Sequence, residues 1–281
     1  MTPAERLFRS FDRVYVLNLP DRADRRAEMA GELARIGTGY GDPRVRLFPA
    51  IRPDDPGGFP SIGARGCFLS HLAMLREARD EGLGRILILE DDCDFARGFE
   101  AGLPAVLDRL DASSWDIFYG GYELSSSPGR GGGPAKPVEV GSLRWSPEVA
   151  RASFPLPHPA DGPPPRPGEE RLLRAGPDLV IRTTHCIGFG RAAIEGLVPY
   201  LEAMLDRAPR SAEGGPMHVD GAYGWFRASR PDLVCWLAAP RLAHQRPSRT
   251  DIAPPGPLDR LPAPLRRPLR ALRRALIRRL A

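Results

Sequence analysis

The chain has 281 residues, of which 42% are hydrophobic and 27% carry a charge. These proportions are typical of a globular protein with one large or two small domains, and they argue against a fibrous or disordered chain. The formal net charge is +5, but eight arginines against one aspartate lie in residues 257–281, so the basic character belongs to that segment. The rest of the chain is close to neutral, and we expect no nucleic-acid partner.

The sequence shows no sign of export, membrane insertion or a cysteine framework. Residues 1–6 lack the apolar core of a signal peptide, and no run approaches the roughly 18 apolar residues that span a bilayer. The four cysteines are far apart and form no CxxC or CxxH pair, which argues against a zinc site and against disulfides. They are Cys67, Cys93, Cys186 and Cys235. We therefore expect reduced, buried thiols and a cytoplasmic location.

Apolar runs and helical spacing predict alternating strands and helices in the first 123 residues. The strand Val14–Leu19 is mostly apolar, as in a sheet covered on both faces, and a polar helix follows from about Arg22 to Ile36. This order of elements indicates an α/β fold. The further predicted elements are a strand at Val45–Phe48, a helix from Arg65 to Glu81, a strand at Arg85–Leu89, a helix at Phe99–Leu110 and a strand at Trp115–Gly120.

Residues 124–178 interrupt this pattern with twelve prolines and eight glycines in 55 residues. Such a composition leaves little room for regular structure, so we interpret the segment as a long Pro/Gly-rich insertion. Regular structure is predicted to resume after it. The later elements are a strand at Leu179–Arg182, the segment 184–189, a helix from Arg191 to about Asp206, a shorter helix starting near Asp220 and a strand at Leu233–Leu237.

Residues 253–281 are predicted to form a proline-rich linker and a basic amphipathic helix, separate from a main domain of residues 1–252. Five leucines fall within one stripe of a helical wheel, whereas four arginines lie away from it. The leucines are Leu265, Leu269, Leu272, Leu276 and Leu280, and the arginines are Arg267, Arg270, Arg274 and Arg278. Such a helix can bind an anionic membrane surface. The alternative is a helix that packs on its own domain with a solvated arginine face.

Three consecutive carboxylates, Glu90, Asp91 and Asp92, follow the apolar strand. They repel one another and lose hydration at the end of such a strand unless a cation or water surrounds them. Side chains alternate along a strand, so Glu90 and Asp92 are predicted to form a clamp for Mg²⁺ or Mn²⁺, with Asp91 on the other side. The carboxyl ends of strands are also where open α/β sheets bind ligands. A solvated loop or a helix start is the alternative.

Several separated segments carry motifs that occur together, in this order, in one enzyme family. They are Val14–Leu19 with Asp21, Arg22, Arg25 and Arg26; Gly66-Cys67-Phe68-Leu69-Ser70-His71; Leu89-Glu90-Asp91-Asp92; Thr184–Arg191; His218-Val219-Asp220; and Gln245 with Thr250-Asp251-Ile252. These segments resemble glycosyltransferase family 25, the lipopolysaccharide and lipooligosaccharide enzymes with their G-C-x-x-S-H and L-E-D-D motifs. The resemblance covers most of the chain, and the insertion 124–178 is the main departure from the family pattern.

The resemblance implies a GT-A-type, Rossmann-like fold with a mixed, mainly parallel sheet flanked by helices. It implies an inverting enzyme that transfers a hexose, galactose or glucose, from a UDP-sugar to a saccharide or lipid-linked saccharide acceptor. A divalent metal, Mn²⁺ or Mg²⁺, is implied as cofactor. Metal and arginine are the groups that stabilise the negative charge that develops on a nucleoside diphosphate leaving group.

The roles of individual residues, in the motifs and beside them, rest on separate arguments. Glu90, Asp92 and His244 are expected to bind the metal. Asp220 is the predicted general base that an inverting transfer needs, with helix N-capping as its alternative role, and Asp91 is expected to meet sugar or ribose hydroxyls. The predicted donor-binding residues are Asn18, Arg22, Arg25, Arg26, Ser70, His71, His185 and Gln245. A solvated helix face is the alternative for the arginines, a core hydrogen bond for His71, and the end of the sheet for His244 and Gln245.

Two further interpretations stay open. A catalytically silent relative could bind a saccharide or a partner through the insertion. A metal-dependent phosphoesterase could use the acidic triplet, although five scattered histidines offer few additional ligands. If the chain is a glycosyltransferase, its basic tail would hold it on the inner face of the membrane.

Overall fold

The structure, a computed structural model, describes residues 1–124, 171–177, 179–209 and 211–246, and in the C-terminal segment residues 262, 268–269, 271–272 and 274–275. The first half contains α1 (Pro3–Ser10), β1 (Arg13–Asn18), α2 (Ala23–Arg35), β2 (Val45–Pro49), α3 (Ile62–Asp80), β3 (Arg85–Glu90), β4 (Cys93–Phe95), α4 (Phe99–Asp111) and β5 (Ile117–Leu124). The second half contains β6 (Arg171–Arg174), β7 (Ile181–Gly190), α5 (Arg191–Leu205), α6 (Val219–Ser229), β8 (Cys235–Ala239) and β9 (Ala243–Gln245).

Seven strands form the central sheet, in the order β2-β1-β3-β7-β5-β8-β6. β1 is parallel to β2 and β3, and β5 is parallel to β8. β7 lies antiparallel between β3 and β5, and β6 is antiparallel to β8 at the edge. Five strands therefore share one direction and two oppose it, so the carboxyl ends of β1 and β3 meet at one edge of the sheet.

Helices cover both faces of this sheet. Ile86 and Ile88 of β3 enter the core on the side of α3, α5 and α6, where they join Leu72. Leu87 and Leu89 enter the opposite core, which α1, α2 and α4 complete. Because side chains alternate along a strand, both sets must be apolar when both faces are covered, which explains the uninterrupted apolar run.

The predicted mixed, mainly parallel sheet flanked by helices is confirmed. All the elements predicted in the first 123 residues are present, with bounds that differ by a few residues. The sequence prediction missed α1, which begins with a capping box between Thr2 and Glu5. It also missed β4 and β9, which pair antiparallel in a separate two-stranded sheet.

Two regions of the second half differ from the prediction. β7 is one continuous strand of ten residues, although the pattern divided it at Thr183. β6 lies inside the range 124–178, so the prediction of irregular structure is wrong for residues 171–174, which pair with β8. Residues 125–170 of the predicted insertion lie outside the described residues.

Most of the predicted linker and amphipathic helix, residues 253–281, also lies outside the described residues. Among the tail residues that are described, Leu269 and Leu272 are exposed, whereas Arg274 contacts the main body of the protein. This orientation is the reverse of a helix that packs its leucines inward and leaves its arginines in solvent. In the part of the chain that the structure describes, no helix is both long and apolar enough to cross a membrane.

Candidate active site

The candidate site lies where β1 and β3 end side by side. Asn18 is the last residue of β1 and Glu90 the last of β3, and Leu17 is the parallel partner of Glu90. Asp91 and Asp92 follow in a turn and are buried. This edge is the usual position of ligand sites in open α/β sheets.

Asp91 is held by two side chains of neighbouring elements. Asn18 donates a hydrogen bond from Nδ2 to Oδ2 of Asp91 at 2.7 Å, and Arg25 of α2 donates from Nη1 to Oδ1 at 2.8 Å. The same Arg25 nitrogen lies 3.4 Å from Oδ2 of Asp92. The sequence predicted that strand alternation would place Asp91 and Asp92 on opposite sides. This prediction is wrong, because β3 ends at Glu90 and both aspartates contact the same arginine, Arg25.

Asp92 is the carboxylate of the triplet whose negative charge is least compensated by its neighbours. It is 4% exposed, and its Oδ1 atom has no hydrogen-bond partner. Its Oδ2 accepts a long hydrogen bond of 3.3 Å from Nε2 of Gln245. Burial raises the pKa of Asp92 to about 7 against the opposing charge of Arg25, and the neighbouring carboxylates of Glu90 and Asp91 add to the rise. Asp92 therefore lies in a place that favours an additional positive charge.

Glu90 faces away from Arg25, toward β7 and α3. Thr184 donates its hydroxyl to Oε1 of Glu90, and Nε2 of His71 lies 3.6 Å from the same oxygen. Burial raises the pKa of Glu90, but the contact with His71 and the Thr184 hydroxyl outweigh it, so the pKa lies below its ordinary value. His71 is fully buried, and its Nδ1 forms a 2.9 Å hydrogen bond with the hydroxyl of Tyr223.

Thr183, the residue before Thr184, has a strained backbone. Its φ of 65° lies in the left-handed region, which a β-branched residue rarely adopts. Its N–H donates to Oδ2 of Asp220 at 3.2 Å, and its hydroxyl lies 3.0 Å from Nδ1 of His185. Burial lowers the pKa of His185 to about 4, so this imidazole is neutral near pH 7. After this residue, Thr184 contacts Glu90 of β3 and the ring of His185 lies against Gly121 of β5.

Asp220 is at the first turn of α6, as the sequence predicted for a residue that enters a helix. Its two carboxylate oxygens accept the N–H groups of Thr183 and Gly221, which fixes its orientation. Asp220 is half-buried and close enough to Cys67 to raise the pKa of that thiol, after burial and Glu90, well above its ordinary value. Asp220 therefore belongs to the same site as Glu90.

A second acidic centre lies beside the first. Asp94 of β4 has no exposed surface and accepts hydrogen bonds from Arg246 and from Arg274 of the C-terminal segment, with distances between 2.6 and 2.8 Å. Arg246 also contacts Glu28 of α2 at 2.6 Å. His244 lies opposite Asp94 in the pairing of β4 with β9, with its Nε2 3.9 Å from Oδ2 of Asp94. This centre brings His244 and Gln245 to the edge of the site.

Ser70 and the glycine before it have structural roles in the predicted G-C-x-x-S-H helix. The Ser70 hydroxyl accepts a hydrogen bond from the N–H of Ile51 at 2.8 Å and donates one to the Gly66 carbonyl at 2.6 Å. Ser70 has no exposed surface that a nucleotide sugar could contact. A Cβ at Gly66 would lie 2.5 Å from the Ile51 carbonyl oxygen, so only glycine allows this close approach.

Arg22 and Arg26 lie at the start of α2, outside the carboxylate cluster. Arg22 pairs with Asp24 at 3.0 Å, and Arg26 reaches the carbonyl oxygen of Pro20 at 3.5 Å. Both side chains are half-buried. Of the three predicted arginines, Arg25 contacts the acidic triplet, through Asp91 and Asp92.

Glu90, Asp92 and His244 offer the types of ligand atom that Mn²⁺ or Mg²⁺ accepts, and Oδ1 of Asp92 has no hydrogen-bond partner. The three side chains are not gathered around one point in the described residues, because Glu90 turns toward His71 and His244 toward Asp94. Such an ion would supply charge stabilisation to a diphosphate leaving group. The metal assignment stays a prediction.

The sequence prediction missed three residues of the site. Thr184 holds Glu90, Arg246 balances Asp94, and Cys67 lies one helical turn before His71, with its sulfur near Glu90. The i, i+4 spacing of Cys67 and His71 was a signal for the last of these, because such residues share one helix face. For Arg246 the sequence carried no signal, since its partner is 152 positions away.

Comparison with known proteins identifies a family for the segment that forms the core of this site. The profile described as "Glycosyltransferase family 25 (LPS biosynthesis protein)" matches residues 60–123, which include α3, β3 and the acidic triplet. The other predicted motifs lie outside this range.

Curated relatives match a similar share of the chain. Human "Inactive glycosyltransferase 25 family member 3" is 30% identical over 127 residues, which cover 39% of this chain and 21% of the relative. Human "Procollagen galactosyltransferase 2" is 28% identical over 127 residues, 39% of this chain and 20% of the relative. "Procollagen galactosyltransferase 1-A" of Xenopus laevis is 28% identical over 128 residues, with 39% and 21% covered. The matched part thus spans about a fifth of these relatives. Residues 60–123 are therefore similar to glycosyltransferase family 25, as the motifs within this segment predicted.

Proposed function

We propose that this chain is an inverting, metal-dependent glycosyltransferase of the GT-A type, which transfers a hexose from a UDP-sugar to a saccharide acceptor in the synthesis of lipopolysaccharide or another cell-surface glycan. The observation that carries the proposal is the buried Asp92 carboxylate, which keeps an unpartnered oxygen beside two further carboxylates. Removing such a group from water is unfavourable unless a cation joins it. A metal and a diphosphate would together meet that need.

The described contacts support a role for each group. Glu90, Asp92 and His244 would hold the metal, and Arg25, which lies between two carboxylates, would contact the diphosphate oxygens. Asp220 would accept the proton of the acceptor hydroxyl as that oxygen bonds to the anomeric carbon and the diphosphate leaves from the opposite face. Its fixed orientation at the start of α6 suits a base that must point at one position.

Galactose is the hexose to test first, because two of the relatives are named procollagen galactosyltransferases. The family description, which names lipopolysaccharide biosynthesis, supports a bacterial saccharide as the acceptor. UDP-glucose is the second donor of the proposal, with Mn²⁺ or Mg²⁺ as the ion.

The proposal is tested by UDP release from UDP-galactose and UDP-glucose without acceptor, in Mn²⁺ and after chelation with EDTA. We expect release only with the metal, and a loss of at least about 100-fold in Asp92→Asn, because the charge that binds the ion is gone. Asp232→Asn is the matched control, since Asp232 lies on the surface with Arg230. If no nucleotide sugar binds the purified chain with any divalent metal, the proposal is wrong.

A catalytically silent saccharide-binding relative is the second candidate, and the human relative named inactive favours it. Thermal-shift measurements with UDP-galactose and Mn²⁺ distinguish the two, because a ligand that binds only the native state raises the unfolding temperature. Donor binding without UDP release, and without transfer to a broad panel of saccharides, would favour the silent relative. Release of UDP in Mn²⁺ would exclude it.

The described residues of the C-terminal segment support a proposal about where in the cell the protein acts. We propose that residues 257–281 hold the protein on an anionic membrane surface at the cytoplasmic face, near a lipid-linked acceptor. Leu269 and Leu272 are exposed, whereas Arg274 points at Asp94, so a helix in this position would turn its leucines away from the protein. Exposed leucines together with arginines suit the apolar and anionic layers of a membrane interface.

This part of the proposal is tested by sedimentation with vesicles of anionic and of zwitterionic lipid. The chain should sediment with anionic vesicles alone, and the double variant Leu269→Ser/Leu272→Ser should stay in the supernatant. A serine in place of a buried core leucine would unfold the protein, so folding of the double variant has to be checked. UDP release by the double variant shows that it is folded. Sedimentation that the double variant retains would refute the membrane role.

A further inference from the structure

Three potential metal ligands converge beside the acidic triplet, and one of them, Glu90, is a member of it. The Sγ atom of Cys67, a ring nitrogen of His71 and a carboxylate oxygen of Glu90 all lie within 4.8 Å of one another. Cys67 and His71 are one turn apart on α3, and β3 brings Glu90 against that face. Two helical ligands at i and i+4 with a third from another element form a common pattern of zinc sites.

The environment of His71 independently points to a ligand. This side chain has no exposed surface, and Nδ1 is fixed by the hydroxyl of Tyr223. Nε2 has no hydrogen bond and faces Glu90 at 3.6 Å. A hydrogen bond from the outer ring nitrogen to a second residue is how proteins orient an imidazole whose other nitrogen binds a metal. Tyr223 therefore occupies the position of such an outer partner.

We propose that Cys67, His71 and Glu90 form a binding site for a borderline-soft divalent cation, with Zn²⁺ as the natural occupant. Thiolate and imidazole select Zn²⁺ over Mn²⁺ and Mg²⁺, which prefer oxygen, so this site differs in ion preference from the carboxylates of the donor side. The thiol proton leaves to solvent when the ion binds, and the ion gains one sulfur, one nitrogen and one oxygen ligand. Three protein ligands leave a fourth position for water.

The position of this site has a consequence for the enzyme, which rests on the proposed function. Glu90 belongs both to the zinc set and to the predicted donor-metal set, and its contact with Thr184 places it between the two. An ion at Cys67 and His71 would draw Glu90 toward α3. Zinc would thus compete for a ligand of the donor-site metal, although its binding does not require that the chain be a transferase.

Cobalt is the probe for the test, because Co²⁺ takes zinc positions and a thiolate ligand gives it an intense charge-transfer band in the near ultraviolet. Purified full-length chain is titrated with Co²⁺, and then Zn²⁺ is added. We expect one equivalent of Co²⁺ to produce the band and Zn²⁺ to remove it. Cys67→Ser should abolish the band, whereas Cys235→Ser, which changes a buried thiol of β8, should keep it.

Two spectral results would overturn the inference: a cobalt spectrum without the thiolate band, or a band that Cys67→Ser leaves in place. A cobalt spectrum that lacks the thiolate band and changes in Asp92→Asn would place the ion at the donor carboxylates instead. Circular dichroism of each variant shows that it is folded, and His71→Asn, which keeps a polar side chain in the core, should weaken Co²⁺ binding at least about 10-fold because a ligand is lost. Unchanged affinity in that variant would also contradict the site.

Discussion

Asp92 and Asp94 are two positions apart and both are buried, yet their surroundings are opposite. Asp94 accepts hydrogen bonds from Arg246 and Arg274, and these arginines overcome the effect of burial, so the pKa of Asp94 lies below its ordinary value. Asp92 shares one arginine with Asp91 and keeps an oxygen without a partner, and its pKa is raised to about 7. The negative charge of Asp94 is therefore compensated by its neighbours, whereas that of Asp92 is not fully compensated.

The difference separates a structural role from a binding role. A buried ion pair with full hydrogen bonding is expensive to break, so Asp94 stabilises the fold and ties β4 to the chain after β9. An unbalanced buried carboxylate lowers stability and is kept where a ligand uses it, which is the pattern of functional sites. Substitutions at the two positions should therefore affect different quantities.

The largest expected effect is on turnover at Asp92. Asp92→Asn keeps the size of the side chain but removes the charge, so metal-dependent UDP release should fall by at least about 100-fold. Without metal, the free energy of unfolding should not fall, and it should rise at a pH above the pKa of Asp92, because the buried charge that costs stability is gone and Arg25 keeps Asp91 as a partner. Urea denaturation in EDTA and a UDP-release assay measure the two quantities on one preparation. A large loss of stability with unchanged turnover would reverse the roles assigned here.

The next effect is on stability at Asp94. Asp94→Asn leaves Arg246, a residue with 4% exposure, without one of its two carboxylate partners, and should lower the free energy of unfolding by about 3 kcal/mol. Urea denaturation without metal gives the value, with Asp108→Asn as a control that removes a more exposed ion pair of Arg6. An Asp94→Asn protein as stable as the parent would contradict the idea of a structural centre.

A double-mutant cycle sharpens the same comparison. Arg246→Gln alone should lower the free energy of unfolding about as much as Asp94→Asn, because each substitution leaves a buried charge. The double variant should lower it by about 1–3 kcal/mol less than the sum of the two single variants. The same cycle between Arg25→Gln and Asp92→Asn should give a coupling below about 1 kcal/mol, since their 3.4 Å contact is long and Arg25 has a second partner. Equal couplings in the two cycles would show that the centres do not differ.

The sequence predicted the sheet well because its strands are apolar runs with helices of clear periodicity between them, as in Arg85–Glu90 and Ile62–Asp80. It also located the acidic triplet. It misjudged the directions of Asp91 and Asp92 because alternation applies only inside a strand, and β3 ends at Glu90. The Asp94 centre lay beyond sequence reasoning, since its charges come from α2, β4 and the C-terminal segment.

The cysteines teach the same lesson about local patterns. The absence of CxxC and CxxH pairs argued against a zinc site, but that rule covers ligands that are close in sequence. Cys67 and His71 are four apart on one face of α3, and Glu90, the third residue of the proposed site, lies at the end of β3. Pairs at i and i+4 on a helix are therefore worth noting wherever a following strand ends in a carboxylate.

The smallest expected effect concerns Arg274, the tail residue that touches the balanced centre. Arg274→Gln removes one of the two arginines on Asp94, yet Arg246 remains, and the Arg274 side chain is 27% exposed, so solvent already screens its charge. We expect a loss of less than about 1 kcal/mol in the free energy of unfolding, against none in the control Arg109→Gln on the exposed face of α4. Vesicle sedimentation should persist, because the exposed leucines that would contact lipid are untouched. A loss near that of Asp94→Asn would instead mean that the tail is an integral part of the buried ion-pair network, and that its leucines are held outward by the fold itself.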